Sequence, residues 1–192
     1  TDEQNPGPGA TNADVRSLSA HNHSSTNRTF YENWQQHYAG IKRANVAIDK
    51  IPTIDFGTNT ALRDRYVAEA KFNRAFIYFN LVRLWGDVPL VVKNQNFVKP
   101  QDYYIAKSPA TEVYAQIERD LIEAAAVLPP KFTGADAGRA TAGAAKALLA
   151  KVYLTKASFP LQITSHYQDA ITKAEEVLSG VDGGTGDVYG YN

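Results

Sequence analysis

Apolar residues recur at steps of three and four along most of the chain, the spacing that places them on one face of an α-helix. No stretch of useful length alternates apolar and polar residues as a half-buried strand would. The pattern therefore predicts an all-α fold built from consecutive helix pairs. The five predicted helices cover residues 30–51, 61–85, 108–128, 138–159 and 165–180.

The second predicted helix carries two neighbouring apolar stripes within the stretch RYVAEAKFNRAFIYFNLVRLWGDVPLV, residues 65–91. Two adjacent stripes predict a helix that is buried on most sides. Gly86 is suited to the left-handed turn that closes a helix, and Val88, which precedes Pro89, is pushed into an extended conformation. The stripes consist of Phe72, Ala75, Phe76 and Phe79, and of Ile77, Leu81 and Leu84.

The third predicted helix has one clean apolar face and clear signals at both ends. Ser108 is a residue type that caps helix N-termini, and Pro109 suits the first helical position. Pro129 and Pro130 would stop the helix. Its predicted buried face consists of Val113, Ile117, Leu121, Ala124 and Leu128.

The last two predicted helices form a pair that is typical of tetratricopeptide repeats. Small residues are frequent in the first helix, and the pair has a length of about 34–40 residues. Arrays of such pairs bury their core between neighbouring repeats and present extended binding surfaces. The predicted buried face of the fifth helix consists of Tyr167, Ala170, Ile171, Ala174 and Leu178.

Irregular sequence flanks this helical region. Residues 1–29 contain closely spaced Pro and Gly and the polar stretch HNHSSTNR, and they predict a loop or linker. Residues 181–192 are rich in Gly and predict an irregular tail. Residues 30–180 are therefore the expected helical domain. Because the chain does not begin with Met, we expect it to be a fragment of a longer protein.

Composition excludes several classes of function. Hydrophobic residues make up 44% of the 192 positions, which is enough for a buried core. Lys plus Arg and Asp plus Glu both number 20, so the basic surplus of a nucleic-acid-binding protein is missing. The chain contains no Cys, which excludes disulfides, thiolate metal sites and cysteine nucleophiles. We therefore predict no nucleic-acid partner.

Charged residues within the apolar second helix call for partners. Arg65 and Glu69 are four residues apart and are able to pair on one helix face. Arg74 is expected to bond backbone carbonyls or Asp87, where the chain leaves the helix, because an unpaired buried charge is costly. This spacing indicates a structural ion-pair network rather than a catalytic group.

Other chemistry-bearing groups give weak signals. His21 and His23 lack the third and fourth ligands that a metal site needs, and we expect them to be loop histidines. The stretch DGGTGD, residues 182–187, lacks both the Glu of a calcium loop and the Gly-Lys-Ser/Thr of a phosphate loop. No metal site and no cofactor are predicted.

Acidic and aromatic side chains in the central region leave two further possibilities. The acids Glu118, Asp120 and Glu123 are expected on the solvated side of the third helix, although paired acids for glycoside hydrolysis meet only in space. Tyr103 and Tyr104 are adjacent in a predicted loop, where aromatic rings are able to stack on sugars or peptides. We predict no catalytic residue and regard the two tyrosines as candidate ligand contacts.

The stretch at residues 65–91 resembles the signature of the SusD/RagB family of nutrient-binding outer-membrane lipoproteins from Bacteroidetes. The matching residues are Arg65, Glu69, Ala70, Phe72, Arg74, Ala75, Tyr78, Leu81, Trp85, Gly86, Asp87, Val88, Pro89 and Leu90. Three further blocks resemble the family in the same order. They are NWQQHYAGIKRANVAIDKI, EVYAQIERDLIEAAAVLP, and GRATAGAAKALLAKVYL followed by YQDAITKAEEVLSG, so that the resemblance covers about residues 30–180.

The resemblance implies a SusD-like α–α superhelix that binds a glycan, or in some cases a peptide, without catalysis. It implies a lipid-anchored position on the extracellular face of the outer membrane and a SusC-like TonB-dependent β-barrel that the protein caps. Family members are usually far longer, and their lipidated Cys and larger C-terminal part are not in this sequence. Their ligand surface draws partly on the loop before the first block, which corresponds to His23, Asn27 and Arg28 here.

Two other classes of function remain open at this stage. A tetratricopeptide-like scaffold that binds a protein segment is the main alternative, because helical repeats bind more often than they transform. A small helical hydrolase is the third. An upstream lipoprotein signal favours the nutrient-binding interpretation, and product formation in a glycan turnover assay favours the hydrolase.

Overall fold

The computed structural model describes residues 12–95 and 104–179. Within these ranges the chain forms six α-helices, two short 3₁₀ turns and no strand, which confirms the all-α prediction. None of these helices combines the length and apolarity that a membrane crossing needs. The helices are α1 (Ala13–Ser19), α2 (Arg28–Lys50), α3 (Thr60–Trp85), α4 (Ala110–Val127), α5 (Ala142–Ala157) and α6 (His166–Leu178).

The chain divides into two compact units, of which the first ends at Ala39 and the second begins at Gly40. The first unit contains α1, so the prediction that all of residues 1–29 are irregular is wrong. Asn12 caps this helix, because its side-chain oxygen accepts hydrogen bonds from the backbone N–H groups of Asp14 and Val15. A seven-residue helix without a buried residue has no apolar periodicity to reveal it.

The second unit is a sequential array in which α3 packs against α4, α4 against α5, and α5 against α6. This order is the one expected of tetratricopeptide-like helix pairs. The final part of α2 approaches α3 closely at Gly40, where an added Cβ would lie 2.7 Å from Cδ1 of Ile77. A side chain larger than hydrogen at this position would displace Ile77.

The core of the second unit lies along α3 and α4. All five residues of the predicted α4 face are buried, as the sequence indicates. The prediction for α3 is only partly correct, because Phe76 and Leu84 are 47% and 64% exposed. One residue of each predicted stripe therefore faces solvent, because neighbouring helices cover only part of the surface of α3. The large apolar side chains that α3 buries are Tyr78, Phe79, Leu81 and Val82.

The prediction of the buried face of α6 is only partly correct, because Ala170 is buried as predicted but three of the five predicted residues are exposed. Ala170 and Val177 are buried, whereas Tyr167, Ile171 and Leu178 are 44%, 50% and 78% exposed. The apolar periodicity identified the helix correctly, but it identified the side that packs on α5 only in part.

Candidate functional site

The connection between α3 and α4 comprises residues 86–109, and its two ends lie next to each other. Gly86 ends α3 with φ of 68°, a backbone conformation that favours Gly. Val88 and Ser108 then form an isolated antiparallel bridge, in which the N–H of Ser108 donates to the carbonyl of Val88 at 3.0 Å. This bridge brings the two ends of the connection together. Residues 96–103 lie outside the described ranges.

A buried ion pair holds the helices beneath this connection. Arg74 on α3 and Asp120 on α4 are 4% and 1% exposed. The Nε and Nη2 atoms of Arg74 donate to the two carboxylate oxygens of Asp120 at 2.8 and 2.7 Å. Gln116 donates a further hydrogen bond to the same carboxylate at 3.0 Å. The expectation that Asp120 lies on a solvated face is therefore wrong.

The remaining donor group of Arg74 reaches the connection itself. Its Nη1 atom donates to the carbonyl of Val92 at 2.9 Å and to the side-chain oxygen of Asn45 on α2 at 2.8 Å. The predicted bond to a backbone carbonyl is thus confirmed, whereas the prediction of Asp87 as a partner is wrong. Asp120 lies on the packed face of α4 and supplies the carboxylate instead.

Two more buried side chains fix the backbone of the connection. Asn45 is 1% exposed and donates to the carbonyls of Val91 and Lys93 at 2.8 and 3.3 Å. The hydroxyl of Tyr78 donates to the carbonyl of Val91 at 3.1 Å and accepts from its N–H at 2.7 Å. Burial raises the pKa of Tyr78 to about 12, so the phenol stays protonated at neutral pH.

Exposed acids complete the attachment at both ends. Asp49 on α2 accepts a hydrogen bond from the N–H of Asn94 at 2.8 Å. Asp87 accepts from the N–H of Ala110 at 2.9 Å and pairs with Lys107 at 3.6 Å. Asp87 therefore caps α4, and the prediction of Ser108 as the N-cap is wrong. Pro109 takes the cap position, but it has no side-chain group to offer.

Arg65 and Glu69 belong to a closed ring of four charges, which lies away from the connection. Arg65 pairs with Glu69 at 3.5 Å, Glu69 with Arg139 at 2.9 Å, Arg139 with Asp136 at 2.6 Å, and Asp136 with Arg65 at 3.3 Å. The predicted Arg65–Glu69 pair is thus confirmed. The hydrogen bond from Arg139 holds the pKa of Asp136 below its usual value. The ring ties the loop after α4 to α3.

The predicted ligand residues fall in both units. Tyr104 lies in the α3–α4 connection and is 86% exposed, whereas Tyr103 lies outside the described residues. In the first unit, the exposed His23 packs edge-on against Phe30, with 5.1 Å between the ring centroids. Arg28 is exposed as well, and its Nε donates to Glu32 at 2.7 Å.

Asn27 is buried, unlike His23 and Arg28. It is 4% exposed, and its amide nitrogen donates to the carbonyl of Asp14 and the hydroxyl of Ser17, both at 3.0 Å. Its side-chain oxygen accepts from the N–H of Thr29 at 2.9 Å. Both donor hydrogens are used inside the protein, so His23 and Arg28 are the more accessible candidates in this unit.

Reasoning from the sequence did not identify Asn45, Tyr78 and Asp120 as a group that positions the connection. The sequence nevertheless contains a pattern that points to Asn45 and Asp120. Asn45 occurs at helical spacing among apolar residues of α2, and Asp120 lies three residues after Ile117 and four before Ala124 on the buried face of α4. A polar residue on an apolar stripe needs a partner, and Arg74 is the complementary one.

The described residues contain no group of three or more His, Asp or Glu side chains placed to hold a metal ion. The buried Arg74–Asp120 pair is hydrogen-bonded within the protein, and the exposed Tyr104 and His23 lie in loops. The exposed side chains are available for contacts with a ligand surface.

A sequence model of the SusD-like family, described as starch-binding and associating with the outer membrane, matches residues 7–154. The chain belongs to the SusD-like family. A curated SusD-like relative, protein P2 from Formosa agariphila, is 40% identical over 127 residues, which is 66% of this chain and 24% of the relative. The SusD-like chain therefore spans about a quarter of that relative's length.

Solved SusD-like structures have the same fold. A SusD superfamily protein from Parabacteroides distasonis aligns with a TM-score of 0.78 and 34% identity, covering 89% of this chain and 36% of that protein. A laminarin-binding SusD-like protein aligns with a TM-score of 0.75 and 33% identity, covering 92% of this chain and 35% of that protein. The SusD-like all-α fold predicted from the sequence is thus confirmed.

Proposed function

We propose that this SusD-like chain is part of a non-catalytic glycan-binding protein and that the α3–α4 connection carries one of its ligand contacts. The observation that carries the proposal is an exposed aromatic residue on the α3–α4 connection. Tyr104 is 86% exposed. Before it in the same connection, the backbone of residues 91–93 is held by Arg74, Asn45 and Tyr78. Exposed aromatic rings in loops are a common kind of ligand contact.

The related structures support the choice of a glycan over other ligands. One protein that aligns over 92% of this chain is described as laminarin-binding. The family description, starch-binding, names a second glucan. We therefore propose that Tyr103 and Tyr104 stack on a sugar ring. His23 and Arg28 are proposed separately, as polar ligand contacts that the first unit offers. A peptide is the alternative ligand.

We further propose that the protein acts at the extracellular face of the outer membrane as the lipid-anchored partner of a SusC-like TonB-dependent β-barrel. The family description associates these proteins with the outer membrane. In this role the helical array provides a stable frame that docks on the barrel, and bound glycan passes to the transporter. The anchor is expected upstream of these residues.

A glycan screen with a turnover control tests the proposal. The natural polypeptide is applied to an array of soluble glucans that includes laminarin and starch, together with a peptide array. Reducing ends are measured in parallel. The proposal expects saturable glycan binding with no new reducing ends. Binding to peptides alone would favour the scaffold interpretation, and product formation would establish a hydrolase; either result would refute a non-catalytic glycan-binding function.

A further inference from the structure

An open cavity of about 420 Å³ lies between the start of α3 and the end of α4. Ala61 and Leu62 contribute its apolar wall on α3, and Val127, which is 46% exposed, contributes the wall on α4. A cavity with apolar walls and a few polar groups is the usual form of a ligand site. We call this space the Arg65 cavity, and its lining consists of Asn59, Ala61, Leu62, Arg65, Val127 and Pro129.

The guanidinium group of Arg65 has donors that the protein leaves unused. Such a group carries five N–H donors. Within the described residues it makes one hydrogen bond, from Nη1 to Asp136 at 3.3 Å, and its Nε atom lies 3.5 Å from Glu69 without a hydrogen bond. Arg74, by contrast, makes four hydrogen bonds. Arg65 is therefore able to donate to an oxygen atom of a ligand.

Aromatic contacts hold Arg65 at the cavity. Its guanidinium carbon lies 5.1 Å from the ring centroid of Tyr66 and 5.3 Å from that of Phe132. Contacts of this kind are attractive and limit the orientations of the side chain. Asn59 adds a second polar group, because its side-chain oxygen caps α3 through the N–H of Leu62 at 3.2 Å and its amide nitrogen is a donor. Contacts within the protein thus hold both polar groups, which reduces the ordering cost of binding.

The charges around Arg65 favour a neutral ligand over an anion. Arg65 belongs to the closed ring with Glu69, Arg139 and Asp136, which contains two cations and two anions. Because these charges already cancel, an anionic ligand would add a negative charge beside two carboxylates. A hydroxyl oxygen accepts a hydrogen bond without adding charge. A sugar unit joins hydroxyl oxygens to an apolar C–H surface, so it suits both the donors and the walls of the cavity.

We propose that the Arg65 cavity is a second glycan site, which takes a neutral sugar unit. The C–H surface of the sugar packs against Leu62 and Val127, and its hydroxyl oxygens accept from Arg65 and Asn59. This inference rests on the proposed glycan-binding function but concerns a different site from the α3–α4 connection. Because an α-helix rises about 1.5 Å per residue, Arg65 and the start of the connection at Gly86 are roughly 30 Å apart along α3.

Protection of a single cysteine tests the proposal, since the 192 residues contain no Cys. Ala61→Cys places a thiol on the cavity wall. Ile122→Cys is the control, because Ile122 is 52% exposed on α4 and lies outside the lining. Both variants are made in the natural polypeptide, and mass spectrometry follows maleimide addition to the peptide that contains the new thiol. The probe is a neutral trisaccharide of laminarin, or of the best glycan from the screen, added over a range of concentrations.

The proposal expects labelling of Ala61→Cys to slow in a saturable way, by about tenfold at about ten times the half-protection concentration, while Ile122→Cys keeps its rate. An unchanged rate for Ala61→Cys, in a protein that binds the glycan by calorimetry, would overturn this proposal and leave the glycan-binding function standing. Absence of glycan binding altogether would refute both.

Two further outcomes would also overturn the proposal. A thiol at position 61 that fails to react in the absence of glycan would show that the cavity is closed in the natural polypeptide. Protection by a trisaccharide of galacturonic acid, but not by the neutral trisaccharide, would show that the cavity takes an anion.

Discussion

The guanidinium group of Arg74 makes four hydrogen bonds, two to Asp120 and one each to Asn45 and the carbonyl of Val92. Removing such a group from water is costly, and a bidentate carboxylate partner with further hydrogen bonds offsets that cost. The partners lie on α2, α4 and the α3–α4 connection. At the scale of single residues, one buried cation on α3 therefore links α2, α4 and the connection.

Replacing Arg74 with Ala should lower the free energy of unfolding by about 3–5 kcal/mol, because Asp120 is left buried and unpaired. Urea unfolding followed by circular dichroism measures the change. Arg28→Ala is the matched control, since the exposed Arg28–Glu32 pair is worth less than about 1 kcal/mol. An unfolding midpoint for Arg74→Ala equal to that of the parent would show that the pair is not buried in solution.

The raised pKa of Tyr78 predicts a change of stability in alkali. The folded protein keeps the phenolic proton up to a pKa of about 12, whereas the unfolded chain releases it near the ordinary 10.0. The stability that this group contributes is therefore complete below pH 10 and is lost as the pH rises towards 12. The free energy of unfolding of Tyr78→Phe should fall less steeply over this interval.

Unfolding curves measured at several pH values compare the two proteins directly. At neutral pH the variant should also be less stable by about 1–3 kcal/mol, because the N–H and carbonyl of Val91 lose their partner. Parallel pH profiles for the parent and Tyr78→Phe would contradict the assignment of the raised pKa to this residue.

At the scale of helices, the start of α4 depends on a residue that is distant in sequence. Asp87 accepts from the N–H of Ala110, 23 positions later. Asp87→Ala should therefore cost about 0.5–2 kcal/mol, as loss of an N-cap does. Ser108→Ala should cost less, since Ser108 does not cap the helix. Chemical unfolding measures the loss of unfolding free energy in each variant. A larger loss for Ser108→Ala than for Asp87→Ala would show that Ser108 is the cap.

The accuracy of helix prediction from the sequence followed the strength of the apolar pattern. The α4 face was predicted completely, because its five apolar residues all pack in the core. Helix α1 was missed, since it is short and buries nothing. The packed side of α6 was assigned only partly, with Ala170 correct, because periodicity reports which residues share a face and not which neighbour covers that face.

At the scale of the whole molecule, the all-α class and the SusD-like family were predictable because several ordered blocks carry them. The polar group beneath the α3–α4 connection was predictable only in part. The sequence required Arg74 to have partners, but Asn45 and Asp120 are 29 and 46 positions away and meet it only after the helices pack. The exposure of Tyr104 likewise follows from the tertiary path of the connection.

At the same scale, Tyr104, the exposed aromatic residue of the α3–α4 connection, is proposed to contact a glycan. Calorimetric titration of the natural polypeptide with laminarin, or with the best glycan from the screen, tests this contact most directly. The comparison is between the variants Tyr104→Ala and Phe159→Ala. The two side chains are 86% and 83% exposed, so they are matched in exposure.

Tyr104→Ala should bind the glycan about two- to tenfold more weakly than the parent, because it loses a stacking contact worth about 0.5–1.5 kcal/mol. Phe159→Ala should bind as the parent does, and the enthalpy trace should show no turnover of the glycan. Unchanged affinity for Tyr104→Ala, or an equal loss in both variants, would contradict the claim that the connection is the ligand-contacting surface.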